Sequence, residues 1–173
     1  MIIIPLHIIE EIIEQARNEL PNEACGLLIG IGNEAMKRFL LTNIDLSPEH
    51  FSFDPCEQFQ ALREARKDGL QIIANYHSHP EMPACPSEED IRLAYDSGIV
   101  YLILSLQESK NPVIKAFRIK ESCSEENPIH YFISDKQPHI NCEYLLNLFR
   151  HHCRRREVIC YLRLHFSSIK SLM

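Results

Sequence analysis

Apolar residues at the start of the chain follow first a strand-like and then a helical spacing. "MIII" (1–4) is a short continuous run, and "LHIIEEIIEQARNEL" (6–20) then sets Ile9, Ile12, Ile13, Ala16 and Leu20 on one helical face, with Pro21 as the stop. A strand followed by an amphipathic helix is predicted. "CGLLIGIG" (25–32) is an apolar run closed by glycines, and "AMKRFLLTNI" (35–44) follows closely enough to pair with it as a hairpin. Asp54 ahead of Pro55 supplies a cap and a favoured first-turn residue for a helix over "PCEQFQALREARKDG" (55–69), which Gly69 ends.

"LQIIANYH" (70–77) is rich in strand formers. After it, Ser87 and Asp90 form a capping-box-like pair that opens "SEEDIRLAYDSG" (87–98), where Ile91, Ala94 and Tyr95 share a face and Gly98 terminates. "IVYLILSL" (99–106), "VIKAFRIK" (113–120) and "IHYFI" (129–133) predict three further strands. Helices and strands in this order give an α+β body built on a mixed or mainly antiparallel sheet. Pro138 marks a boundary, so residues 1–135 are expected to form one domain and 136–173 a basic, helical C-terminal extension.

Composition narrows the class. With 173 residues, 45% hydrophobic and 24% charged, the chain suits one well-cored domain. The first 11 residues lack the basic leader of a signal peptide, and the longest apolar run, "IVYLILSL", is far short of the roughly 20 residues of a membrane helix. Seven cysteines without CxxC spacing predict reduced thiols, so a cytoplasmic protein with no membrane partner is expected. Residues 1–135 carry 11 Lys+Arg against 22 Asp+Glu, whereas 136–173 carry 7 against 2. An acidic body argues against nucleic acid as a partner, and the tail, with "RHHCRRR" at 150–156, reads as a solvated basic helix, a contact for an acidic partner or a homodimer element.

The chemistry concentrates in "YHSHPEMPACPSEED" (76–90). Side chains alternate along a strand, so His77 and His79 project to one side and Ser78 to the other. Pro80, Pro83 and Pro86 stiffen the following loop, and the helix opening at Ser87 offers Asp90 in its first turn. Two imidazoles and a carboxylate suit a tetrahedral Zn²⁺ with one position left for water, as in catalytic rather than structural sites. Spacing alone leaves an alternative open, because His-x-His pairs recur by chance and Ser87 with Asp90 is explained by a helix cap. It also leaves the general base open among Glu23, Glu81, Glu88 and Glu89.

The stretch reads His-x-His-Pro-x6-Ser-x2-Asp, and upstream Glu23 stands just before "CGLLIG"; together these resemble the JAMM motif of the MPN+ zinc metalloproteases over residues 1–133, most closely the stand-alone prokaryotic type. The resemblance implies an MPN (cytidine-deaminase-like) three-layer fold, with a central mixed β-sheet flanked by helices. It implies that His77, His79 and Asp90 bind one Zn²⁺ per chain, that Glu23 serves as general base and acid, and that Ser87 donates to the oxyanion. It further implies a metallopeptidase or isopeptidase acting at the Gly-Gly C-terminus of a ubiquitin-like or sulfur-carrier β-grasp protein. Two other readings are weighed: a catalytically silent MPN scaffold, which would lack motif ligands, and a RadC-like nucleic-acid-associated protein, which the acidic body disfavours. Cys85 in the motif loop is a candidate inhibitory fourth ligand. Cys25 reads as strand packing rather than a nucleophile, and His139, Cys142, His151, His152, Cys153 and Cys160 have no recognised ligand spacing.

Overall fold

The computed structural model describes residues 1–133. The boundary at Pro138, the tail helix and the tail His/Cys group lie outside the described residues. Eleven elements follow one another in the order β1 (Ile2–Pro5), α1 (Leu6–Glu19), β2 (Cys25–Ile31), β3 (Glu34–Leu41), α2 (Pro55–Lys67), β4 (Gln71–His79), α3 (Glu88–Leu93), β5 (Val100–Ser105), β6 (Val113–Lys120), β7 (Cys123–Glu126) and β8 (Ile129–Phe132).

The strands form one sheet in the order β7-β6-β5-β4-β2-β3-β1-β8. β4 and β5 run parallel, as do β1 with β3 and β1 with β8, while β2 pairs antiparallel with both β3 and β4 and the β5-β6-β7 meander is antiparallel. The sheet is therefore mixed, as expected. β5 is buried at all six positions, which fits a strand covered on both faces.

Helices cover both faces. On one, α1 buries Leu6, Ile8, Ile9, Ile12, Ile13 and Ala16, and its Gln15 reaches Tyr76 of β4. On the other, α2 packs Ala61 against Cys25, Leu27 and Leu41, while Ile91 and Ala94 at α3 pack against Tyr101, Ile103, Phe117 and Ile119. Register puts Cys25 beside His77 and His77 beside Ile103, so α2 and α3 flank the histidine face of β4. The three layers of the expected architecture are present.

Three local expectations are corrected. Leu20 does not extend the α1 face: the residue before a proline is pushed out of helical conformation, so α1 ends at Glu19 and Leu20 is 47% exposed. The third helix stops at Leu93 rather than Gly98, because the Asp96 side chain accepts from the Gly98 N–H and the Asp96 N–H donates to Tyr101 Oη, which favours a turn; Tyr95 is 86% exposed. β7 is an addition. All four of its residues are exposed, so no alternation marks it, and its hairpin turn uses Glu121 and Ser122 at φ 50° and 62° instead of the Asn-Gly that signals such a turn.

Candidate active site

The site forms where β4 ends at the centre of the sheet. Strand alternation brings His77 and His79 to one face, both 2% exposed, with their Nε2 atoms 3.1 Å apart. α3 supplies the carboxylate. Its capping box is formed as expected: Ser87 Oγ accepts from the Asp90 N–H, and Asp90 Oδ2 accepts from the Ser87 N–H at 2.7 Å. This locks Asp90 with Oδ1 3.2 Å from His77 Nε2 and Oδ2 3.5 Å from His79 Nε2. One donor atom from each of the three residues lies within 4.8 Å of the others.

The hydrogen-bond chemistry around these donors fits a metal ion. His79 Nδ1 lies 2.9 Å from the Pro83 carbonyl, which can only accept, so Nδ1 carries the hydrogen and neutral His79 presents a bare Nε2 to the cluster. His77 is held by Phe51, whose ring stacks on it at 4.7 Å and 25°. Burial disfavours the charged form of His77 and outweighs the nearby Asp90, so its pKa is lowered. For His79 burial is outweighed by the hydrogen bonds to Asp90 and Pro83 and by the charge of Glu23, so its pKa is raised. Burial likewise opposes ionisation of Asp90, yet its bonds with His77, His79 and Ser87 hold it well below the usual carboxylate range.

Among the four glutamates that spacing left open, Glu81, Glu88 and Glu89 are exposed, whereas Glu23 is 1% exposed with Oε1 3.9 Å from His79 Nε2. Burial, with added repulsion from Asp90, Glu89 and Glu49, pushes the Glu23 carboxyl up to about 8 against the pull of His79. Glu23 Oε1 has no hydrogen-bond partner among the described residues. A buried, unpaired oxygen aimed at a cluster of metal donors is the polarity that a bound ion with its water would satisfy.

Several residues that support the site were not singled out in the sequence. Ser78, expected only to point away, has its hydroxyl accepting from the Ala24 N–H at 2.8 Å while its own N–H donates to the Ala24 carbonyl, tying the Glu23 segment to β4. Asn43 Nδ2 donates to the carbonyls of Glu23 and His50, and its Oδ1 accepts from the amides of Asp45 and Ser52, fixing the loop that carries Phe51. The contacts that tie them to the Glu23 segment, Ser78 to Ala24 and Asn43 to the Glu23 carbonyl, span 54 and 20 residues, so no local pattern marks them. The Ser87 hydroxyl also donates to Asp90 Oδ2 at 2.7 Å. Cys25 packs in the core, its thiol donating to the Leu41 carbonyl, and Cys85 is exposed in the motif loop.

Comparison with known proteins agrees with this geometry. A family model described as prokaryotic homologs of the JAB domain matches residues 5–120. A CysO-cysteine peptidase of Mycobacterium tuberculosis is 29% identical over 133 residues, covering 75% of this chain and 90% of that protein. A desampylase of Pyrococcus furiosus is 32% identical over 104 residues, covering 60% and 74%. Among solved structures, a protein of Desulfitobacterium hafniense shares 44% identity with a TM-score of 0.72, covering 82% of this chain and 99% of that one. A JAB1/MPN domain protein from Archaeoglobus fulgidus, at 22% identity and TM-score 0.54 over 76% and 97%, shows the same fold. With both motif halves converging on one cluster inside the matched span, this chain belongs to the prokaryotic homologues of the JAB domain, the stand-alone type of the JAMM/MPN metalloprotease family, which are hydrolases.

Proposed function

We propose that the protein is a zinc-dependent peptidase or isopeptidase that cuts the bond after the Gly-Gly C-terminus of a small ubiquitin-like or sulfur-carrier protein of β-grasp fold, working in the cytoplasm. The observation that carries this reading is the convergence of His77, His79 and Asp90 with the unpaired, buried Oε1 of Glu23. Similarity to a CysO-cysteine peptidase and a desampylase supports the substrate class. The described cysteines 25, 56, 85 and 123 are free, in keeping with a reducing compartment.

His77, His79 and Asp90 would hold the zinc. When bound there, zinc lowers the pKa of a water to near 7 and polarises the scissile carbonyl. Glu23 takes the proton of the attacking water at Oε1, a role supported by the position of that oxygen 3.9 Å from His79 Nε2 and free of any hydrogen-bond partner among the described residues. It then returns the proton to the departing amine, so hydrolysis breaks the C–N bond and leaves a carboxylate on the carrier and an amine on the other part. Ser87 serves as oxyanion donor by turning its hydroxyl hydrogen away from Asp90. Asp90 Oδ2 keeps the Ser87 N–H in that event, so the carboxylate is not stripped of its partner. Phe51 and the Pro83 carbonyl keep the imidazoles oriented throughout.

The test is to incubate the zinc-loaded enzyme with β-grasp proteins of the same genome, each extended by one residue beyond Gly-Gly, and to follow intact mass. Cleavage after Gly-Gly is expected. Cleavage of unrelated unfolded peptides at equal rates, with no preference for the carrier, would replace the proposal with a general metallopeptidase.

A further inference from the structure

Glu23 Oε1 has no hydrogen bond to hold it where a base must stand: it is without a partner among the described residues, and His79 Nε2 is 3.9 Å away. The aim of that oxygen is therefore set through the main chain. The loop 43–53 holds this main chain on both sides, since the Glu23 N–H donates to the Ser47 carbonyl at 2.9 Å and the Glu23 carbonyl accepts from Asn43 Nδ2 at 3.0 Å.

One buried side chain organises the loop. Asn43 is 4% exposed and uses its full hydrogen-bonding capacity: Nδ2 donates to the carbonyls of Glu23 and His50, and Oδ1 accepts from the amides of Asp45 and Ser52. His50 and Ser52 flank Phe51, the ring stacked on His77. The same amide group thus holds the base on one side and, on the other, the residue that orients a metal donor. The turn it closes is strained. Its carbonyl accepts from the Leu46 N–H, and Leu46 sits at φ 48° while 70% exposed, with little packing to keep it there. A leucine stays in that conformation only where neighbouring bonds over-determine it, and the next residue is Ser47, whose carbonyl meets Glu23.

We propose that Asn43 is a positioning residue for hydrolysis: by holding the Glu23 main chain and the Phe51 loop at once, its amide keeps the Glu23 carboxyl in register with the metal-donor cluster. The proposal rests on the reading of Glu23 as the base. Asn43→Asp tests it, because aspartate keeps the shape and the two accepted bonds and removes both donated ones. With zinc-loaded protein and a Gly-Gly carrier substrate, kcat should fall about 10–100-fold, as a shift of about 1 Å in a reacting group allows. KM and zinc content should stay at wild-type values. On a Glu23→Gln background the same change should lower kcat by no more than about threefold, because the group it positions is gone. Equal losses in both backgrounds, or a normal kcat in Asn43→Asp, would overturn the proposal and leave the assigned reaction standing. Normal turnover in Glu23→Gln alone would remove the base and this proposal with it.

Metal-free protein gives a readout that does not depend on turnover. In Asn43→Asp the Glu23 N–H should exchange with solvent roughly tenfold faster, and the NMR signals of the His77 ring should move as the Phe51 ring current changes. Gln15→Leu, which removes bonds on the opposite face of β4, should alter neither, so loss of stability alone does not explain the effect. Where Asn43→Asp does not fold, Asn43→Ser is read in its place; failure of both to fold would make Asn43 a residue of the fold only and end the proposal. If the wild-type protein cuts no Gly-Gly carrier, the substrate reading fails and the metal-free signals decide: unchanged signals in Asn43→Asp would sink the positioning role.

Discussion

The two faces of β4 are made by alternate residues of one strand, yet they treat buried polarity in opposite ways. Toward α1, Tyr76 Oη donates to Gln15 Oε1 at 2.6 Å and accepts from Arg38 Nη1 at 3.2 Å. Gln15 Nε2 donates to the Cys25 carbonyl and to Glu19, and Arg38 Nε donates to Glu11 at 3.1 Å. Donors and acceptors match. Toward α2 and α3, Asn75 Oδ1, His77 Nδ1 and Glu23 Oε1 are buried without partners among the described residues. An unpaired buried polar atom costs about 1–3 kcal/mol, so the histidine face gives up stability that the α1 face retains. Local strain of this kind is expected where a fold is organised around something it must bind.

That contrast can be broken first at the metal donors, where the effect should be largest. His77→Ala and Asp90→Ala are expected to lose most of about one equivalent of zinc and all measurable hydrolysis. Metal analysis that finds a full equivalent in both variants would show that these residues are not the ligands. Next comes the base. Glu23→Gln should keep its zinc while turnover of a Gly-Gly carrier substrate falls about 10²–10⁴-fold, because an amide cannot move a proton. Normal turnover would assign that role to another group.

The α1 face should respond in the opposite currency. Gln15→Leu removes the side-chain donor to the Cys25 carbonyl and an acceptor shared by the Tyr76 hydroxyl and Arg38, and urea unfolding should register a loss of about 1–3 kcal/mol. Metal content and turnover of the folded protein should be retained; a selective loss of turnover would mean that the two faces are coupled. The smallest effect sharpens the comparison most. In metal-stripped protein at neutral pH, Glu23→Gln removes the desolvation of a buried carboxyl and should raise stability, on the order of 0.5–1 kcal/mol. A clear loss of stability there would show that Glu23 is bound into the fold rather than held for chemistry.

Much of the site is legible in the chain because its rules are local. Period-two alternation alone puts His77 and His79 on one face, and the Ser-x-x-Asp spacing alone predicts the cap that orients Asp90. Glu23 is different. It was singled out by resemblance, since nothing in its own neighbourhood separates it from Glu81, Glu88 or Glu89. What brings it to the cluster is the antiparallel pairing of β2 with β4, Cys25 beside His77, reinforced by Ser78 on Ala24. Such pairings join residues more than 50 positions apart, and no local propensity encodes them.

The chain by itself determined the helices, most of the strands, the His-x-His face and the capped aspartate, because these follow from spacing and from side chains bonding to nearby backbone. Only the tertiary structure decided where the third helix stops and that an exposed strand without alternation extends the sheet. It alone left Glu23 Oε1 and Asn75 Oδ1 buried without partners among the described residues. The reason is physical: desolvation and hydrogen-bond satisfaction depend on everything packed around an atom, and that surrounding is assembled from distant parts of the chain.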